Sequence, residues 1–150
     1  MIVVLKSFRF LFDILAMYPT FYAYSPTIFY HIGAMTKAIE LCVDGADIYT
    51  ICQEVDAFID DALTKTFSNK KSKKLERGIA FPCCISVNEV CGHFSPLQED
   101  SYKLKMEDLV KVDLGAHIDG FPASCAHSFV IGGKTKGPQA DVLMAAWQAF

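Results

Sequence analysis

The sequence lacks the short motifs that carry most enzyme chemistry. It has no glycine-rich loop for phosphates, no Gly-x-Ser-x-Gly nucleophile elbow and no Cys/His nucleophile pair. It also has no internal repeat and no Cys-x-x-Cys pair, so its six cysteines are not spaced as a disulfide framework. The sequence therefore gives no support for a phosphate-binding loop, a serine hydrolase site or a thioredoxin-like redox site.

The cysteines are best explained as reduced thiols of a cytosolic or nuclear protein. Two short pairs, Cys91 with His93 and Cys125 with His127, leave zinc binding as an alternative. Structural zinc sites usually space their ligands two to four residues apart on both arms, which disfavours that alternative.

The composition indicates one globular domain. The chain has 150 residues, of which 52% are apolar, and a net charge of −3. Because the chain is slightly acidic, any affinity for nucleic acid has to come from a local basic patch.

Residues 1–30 differ from the rest, because they are crowded with aromatic residues and carry few charges. A signal peptide is one interpretation, but Asp13 interrupts its apolar core. A membrane span over Ile14–Thr36 is another, but Pro19 and Pro26 make it a poor spanning helix. An altered start that does not belong to the domain is the third and preferred interpretation.

Three helices are predicted after this segment. Apolar residues recur at helical spacing from Ala34 to Cys42, and Gly45 offers a stop. Asp47 can cap a second helix, and Gly137-Pro138 opens a third. The apolar stripe of the second helix comprises Ile48, Ile51, Cys52, Val55, Phe58, Ile59 and Leu63.

A basic run follows the second helix. Residues 65–77 hold six of the fourteen basic residues of the chain, and Glu76 alone opposes them. The six are Lys65, Lys70, Lys71, Lys73, Lys74 and Arg77. Such a run is either a solvated loop or an arm that contacts phosphates, because clustered lysines release counterions from nucleic acid.

Residues 78–96 resemble a strand that Pro82 and Pro96 interrupt. Three apolar side chains are expected to point inward and two polar ones to reach a pocket: Ile85, Val87 and Val90 inward, Asn88 and His93 toward the pocket.

The segment from Val110 to Val130 is the clearest element of the sequence. Two apolar-rich runs meet at Asp119-Gly120, which is a strong signal for a tight hairpin. Alternation along the first strand places Val110, Val112, Leu114, Ala116 and Ile118 on one face, and Lys111, Asp113, Gly115 and His117 on the other.

A two-residue turn sets the register of this hairpin. Asp113 then lies opposite Ala126, and Gly115 lies opposite Ser124. Asp113 and Ser124 are therefore diagonal neighbours that can reach one small ligand. Two acids at these positions would clamp a metal ion, but only one acid is present.

Several motifs of this sequence together resemble those of a known protein family. GIAFP-x-x-ISVNE-x-x-x-HFSP, then DLVKVDLGAHIDGF and AHSFV, resemble the methionine aminopeptidase-like fold, also called the pita-bread or creatinase/aminopeptidase-like fold. Within it the chain is most similar to the proliferation-associated, ErbB-receptor-binding proteins, which are non-peptidase relatives. The resemblance covers residues 31–150 and implies an α+β fold, in which helices lie on a curved antiparallel sheet. It further implies that the chain is the first half of that fold, truncated at its C-terminus.

The resemblance also implies the fate of the metal site. In the active peptidases two aspartates of this hairpin help to hold two divalent metals, and they map to Asp113 and Ser124. The remaining ligands, a histidine and two glutamates, would follow Phe150. A histidine that contacts substrate maps to His93. We expect a vestigial pocket formed by these three residues, with no metal, no cofactor and no catalytic residue.

The function implied is a non-enzymatic regulator of growth, translation or transcription that binds RNA or the ribosome and protein partners. We expect it in the cytoplasm and in the nucleus or nucleolus, without a membrane unless residues 1–30 are a genuine anchor. Two alternatives stay open: a metal-dependent methionine aminopeptidase, and a protein scaffold or transcriptional co-regulator without RNA contact. The isolated chain is expected to be poorly soluble, because half a sheet leaves a strand edge uncovered.

Overall fold

The computed structural model describes residues 25–65, 75–133 and 135–149. In chain order the elements are α1 (Ser25–Leu41), α2 (Ile48–Lys65), β1 (Arg77–Val87), a 3₁₀ turn (Gln98–Asp100), β2 (Leu109–Ile118), β3 (Phe121–Val130) and α3 (Pro138–Ala149). The three strands form one antiparallel sheet in the order β1-β2-β3. Helices α1 and α2 cover one face of it, so the fold is α+β as predicted.

The hairpin has the predicted register. Asp113 pairs with Ala126, and Gly115 pairs with Ser124. The turn residues Asp119 and Gly120 have φ angles of 54° and 78°. Positive φ at both positions is the type I′ turn that matches the twist of a two-residue hairpin, which is why Asp-Gly occupies it.

The core lies between the sheet and the two helices. We call the helix-covered face of the sheet the inner face and the opposite one the outer face. The five inner-face residues of β2 are at most 8% exposed. Helix α1 lies over β2 and β3, and the α2 stripe packs against β1 and α1. Only Phe58 of the predicted stripe is half-buried. The alternating apolar residues of β2 and the apolar stripe of α2 therefore belong to one core, as predicted.

The ends of the helices follow their capping residues. Asp47 Oδ2 accepts a hydrogen bond from the Thr50 backbone N–H at 3.1 Å, which confirms it as the cap of α2. Its other oxygen accepts the Ser101 hydroxyl at 2.7 Å. Helix α1 begins at Ser25, well before the predicted Ala34, and helix α3 begins at Pro138 as predicted. The division of the chain at residue 30 stays a prediction.

Strand β1 runs through Pro82 instead of ending there. Its pairing with β2 shifts register between Ile79 and Phe81 and again between Phe81 and Cys84. Such irregularities accommodate a residue that has no N–H to donate, and β1 is an edge strand, where proline is tolerated. The predicted interruption at Pro82 is thus a pair of bulges within one strand.

Two predictions for the loop after β1 are wrong. Val90 is 37% exposed and does not point inward. Asn88, at φ 50°, bonds the protein itself instead of lining a pocket: its Nδ2 donates to Asp108 Oδ1 at 2.8 Å, and its Oδ1 accepts from Leu109 N at 2.9 Å. This turn reverses the chain after β1 and carries Val90 away from the core.

Residues 14–24 of the membrane span that the sequence suggested lie outside the described residues, and residues 25–36 belong to helix α1. Among the helices that the structure does describe, none is long and apolar enough to cross a membrane.

Candidate binding site on the outer face of the sheet

The predicted pair lies on the outer face of the hairpin. Asp113 sits in the middle of β2, and its side chain is 32% exposed. Ser124 lies one pair closer to the turn on β3, diagonal to Asp113 and exposed. The outer face therefore presents one carboxylate and one hydroxyl toward the same volume.

His93 joins this face from the loop after β1. Its backbone is left-handed, with φ 60°, and its side chain is 87% exposed. Its Nδ1 lies 3.8 Å from Asp113 Oδ2, so the two attract when the imidazole is protonated. The structure thus brings His93 and Asp113 together, while the pocket that they would form with Ser124 stays a prediction.

An aromatic ring lies beside the pair, and the sequence analysis missed it. A Cβ placed on Gly115 would meet Phe81 Cε1 at 2.4 Å and Cζ at 2.9 Å. The Phe81 ring therefore lies directly on the Gly115 backbone, next to Ser124 on the neighbouring strand. A glycine inside a β-branched run was the available signal, because it often marks a close approach by another group.

The thiols of Cys84 and Cys125, which lie on the strands next to Asp113, are poor metal ligands. Cys84 pairs with Asp113 across β1 and β2 and is 5% exposed. Burial, and then the Asp113 charge, raise its pKa to about 11. The same two causes raise the pKa of Cys125 to about 12. Both stay protonated near neutral pH, and metals bind the thiolate. None of the six cysteines, all of which lie within the described ranges, forms a disulfide bond.

The residues present do not fit the metal pair of the active peptidases. A bridged pair of hard cations needs several carboxylate oxygens, whereas Ser124 supplies a neutral, monodentate one. The Phe81 ring places apolar carbon on Gly115, the residue that pairs with Ser124. Across the described ranges no three His, Cys, Asp or Glu side chains are grouped so that they could hold a metal ion.

The basic run joins α2 to β1, and its two ends are described. Lys65 forms an ion pair with Asp61 one turn earlier in α2. Arg77 opens β1, and its Nη1 lies 3.5 Å from the Leu63 carbonyl oxygen. The four central lysines, Lys70, Lys71, Lys73 and Lys74, lie outside the described residues. Their assignment to RNA binding stays a prediction.

Comparison with known proteins gives close relatives. "Proliferation-associated protein A" of Dictyostelium discoideum is 48% identical over 122 residues, which cover 79% of this chain and 31% of that protein. "Curved DNA-binding protein" of Schizosaccharomyces pombe is 43% identical over 122 residues, with the same coverage of 79% and 31%. The chain therefore spans about a third of the length of these curated relatives.

A solved structure supports the fold. The chain matches "Structure of a thermophilic Arx1" with a TM-score of 0.72 and 24% identity, covering 84% of this chain and 35% of that one. The pita-bread fold predicted from the sequence is thereby confirmed for the part that this chain covers. Residues 30–150 also match the model of metallopeptidase family M24. The chain belongs to this family, as a relative of the proliferation-associated proteins.

Proposed function

We propose that this chain belongs to a non-peptidase M24 protein that acts by binding, with RNA or the ribosome as its main partner. The observation that carries the loss of peptidase activity is the single carboxylate, Asp113, with Ser124 at the diagonal position. Metal-dependent hydrolysis needs a metal ion to lower the pKa of water or to polarise the substrate. A face with one carboxylate, a hydroxyl and an aromatic ring does not provide such a centre.

An activity assay tests the loss of hydrolysis. The purified protein is incubated with a peptide that begins with methionine, in Co²⁺ or Mn²⁺ and in a metal-free control. We expect the same background release of methionine in both. Metal-dependent release by the wild type, abolished by Asp113→Asn, would show that the peptidase interpretation is right and ours wrong.

Two observations support the RNA part of the proposal. The basic run concentrates six cations in thirteen positions of an otherwise acidic chain. One relative is named for binding curved DNA, which is a polyanion of the same charge pattern. Since Lys65 is paired with Asp61, the four central lysines are the cations we expect to neutralise phosphates.

Salt titration tests this electrostatic mechanism. Binding of a structured rRNA fragment is measured between about 50 and 200 mM salt for the wild type and for one variant. In that variant alanine replaces all four central lysines, Lys70, Lys71, Lys73 and Lys74. If all four contact phosphates, the variant's slope of log K against log salt should be shallower by roughly 3. Changing the same four residues to Arg is the matched control, because it keeps the charge. Unchanged binding by the alanine variant would refute this role.

Protein partners are the second candidate, because the resemblance is to receptor-binding proteins. A pull-down repeated with and without nuclease separates the candidates: RNA-bridged partners are lost on digestion, whereas directly bound ones persist. Persistence of every partner after nuclease treatment would favour the scaffold interpretation. The proposed location is the cytoplasm and the nucleus or nucleolus, which fluorescence microscopy of the tagged protein checks.

A further inference from the structure

Two thiols meet where helix α2 packs against strand β1. Cys52 lies in α2 and is 3% exposed, and Cys83 lies in β1 and is fully buried. Their side chains are hydrogen-bonded to each other. Both belong to the core between the sheet and the two helices, so their surroundings are formed by described residues.

A backbone contact holds the two thiols in place. Asp56 follows Cys52 by four residues, so both side chains leave the same side of α2. Asp56 Oδ1 accepts a hydrogen bond from Cys83 N at 2.8 Å. This bond fixes the backbone of β1 within one helical turn of Cys52. The pair is therefore positioned by two separate contacts, one between the thiols and one from Asp56 to the backbone.

Two further cysteines lie near this pair. Cys84 pairs with Asp113 in the sheet and therefore belongs to the outer face, away from α2. Cys42 lies closer to Cys52, because burial and then the charge of Cys52 raise the pKa of Cys42 to about 12. Cys42 is thus the thiol that competes with Cys83 for a bond to Cys52, and a test has to distinguish the two bonds.

We propose that Cys52 and Cys83 form a redox-sensitive pair, which a peroxide converts into a disulfide that joins α2 covalently to β1. One sulfur first attacks hydrogen peroxide, which breaks the O–O bond and gives a sulfenic acid and one water. The second sulfur then displaces the hydroxyl group of the sulfenic acid, which closes the S–S bond and releases a second water. In total the two thiols lose two protons and two electrons, and one peroxide becomes two waters.

The native packing makes this reaction slow. The hydrogen bond with Cys52, and then burial, raise the pKa of Cys83, so its thiol stays protonated near neutral pH. The thiolate is the reactive form, and neither sulfur is open to solvent. Oxidation therefore begins when the contact between α2 and β1 opens locally, and the S–S bond then holds the two elements together. The pair responds to an oxidant only where packing is also loosened.

Peroxide treatment of the full chain tests the proposal. The chain carries Cys91→Ser, which removes the exposed thiol and leaves five cysteines. After oxidation and unfolding we expect three free thiols, and a peptide map in which Cys52 is linked to Cys83. The melting temperature should rise by roughly 5–15 °C and return on reduction, because the bond closes the loop between residues 52 and 83. Urea below the unfolding midpoint should speed the formation of the bond, since it favours local opening.

Two further substitutions provide a matched comparison in the same background. Cys83→Ala should abolish the rise in melting temperature, whereas Cys84→Ala removes the neighbouring thiol and should keep it. Circular dichroism confirms that each variant is folded, and the peptide map of the Cys91→Ser chain decides the matter if Cys83→Ala does not fold. Five free thiols after oxidation, a bond between Cys42 and Cys52, or a bond that does not raise the melting temperature would overturn the proposal. A rate that urea leaves unchanged would refute the opening step.

Discussion

The contact between Gly115 and Phe81 predicts opposite effects of Gly115→Ala on stability. The substitution should destabilise the wild-type protein but stabilise a variant that lacks the Phe81 ring. The Gly115 backbone is not in the left-handed region, so alanine fits its conformation. Gly→Ala in a strand should then stabilise by about 0.5–1 kcal/mol, because glycine loses more backbone entropy on folding. The added Cβ, however, would lie 2.4 Å from Phe81 Cε1, so the ring has to move.

The cost of moving the ring exceeds that gain. Overpacking costs about 1–3 kcal/mol, and a half-buried ring can swing partly into solvent, so Gly115→Ala should destabilise the protein by about 1–2 kcal/mol. For a chain of 150 residues, this lowers the melting temperature by roughly 2–8 °C. In Phe81→Ala the obstacle is gone, and adding Gly115→Ala should raise stability by about 0.5–1 kcal/mol.

The assay is a double-mutant cycle by urea and thermal unfolding, at one protein concentration so that self-association does not shift the midpoints. Phe81→Ala is the reference background, and it also removes the half-buried ring from the outer face. If Gly115→Ala stabilises equally in both backgrounds, the ring does not rest on Gly115, and our description of the outer face fails.

Three other predictions follow from buried or perturbed groups. Asp108→Ala should destabilise by about 2–4 kcal/mol in urea unfolding, because its carboxylate accepts from Asn88, Tyr102 OH and the Lys105 N–H and these donors would lose it. Hydrogen bonds, led by that from Ser101, lower the pKa of Asp47 in the folded protein. The ionised carboxylate therefore stabilises the fold above pH ~4, and this contribution is lost as the pH falls through the folded pKa. In thermal melts from pH 5 to 2, the melting temperature of Asp47→Asn should fall less steeply than that of the wild type. Thiol titration with Ellman's reagent should count one fast thiol, the exposed Cys91, in the native protein and six after unfolding.

The sequence was sufficient for the hairpin and the core because both depend on local rules. Alternation assigned the faces of β2, and Asp119-Gly120 set the register that places Asp113 diagonal to Ser124. Both signals act within about twenty residues and need no information on tertiary contacts. The prediction that this site has one carboxylate where a metal clamp would need two followed from these two signals alone.

The loop after β1 could not be predicted in this way. Asn88 has the polar side chain expected of a pocket residue, yet it joins the end of β1 to Asp108 at the start of β2. Asp108 is only 7% exposed. The sequence gave no reason to expect this, because a charged residue in a polar segment usually lies on the surface. Such contacts depend on where a left-handed turn directs the chain, and a single sequence does not fix that turn.

The contact of Phe81 with Gly115 changes what would be needed to recover a metal site. From the sequence alone, Ser124→Asp would restore the missing carboxylate beside Asp113. In the structure, position 124 is exposed and pairs with Gly115, on which the Phe81 ring lies, so the ring offers a carboxylate there no hydrogen-bond donor. A second carboxylate without a metal would also repel the Asp113 charge. Ser124→Asp alone should therefore destabilise the protein without gaining metal, and only removal of the ring as well opens the face.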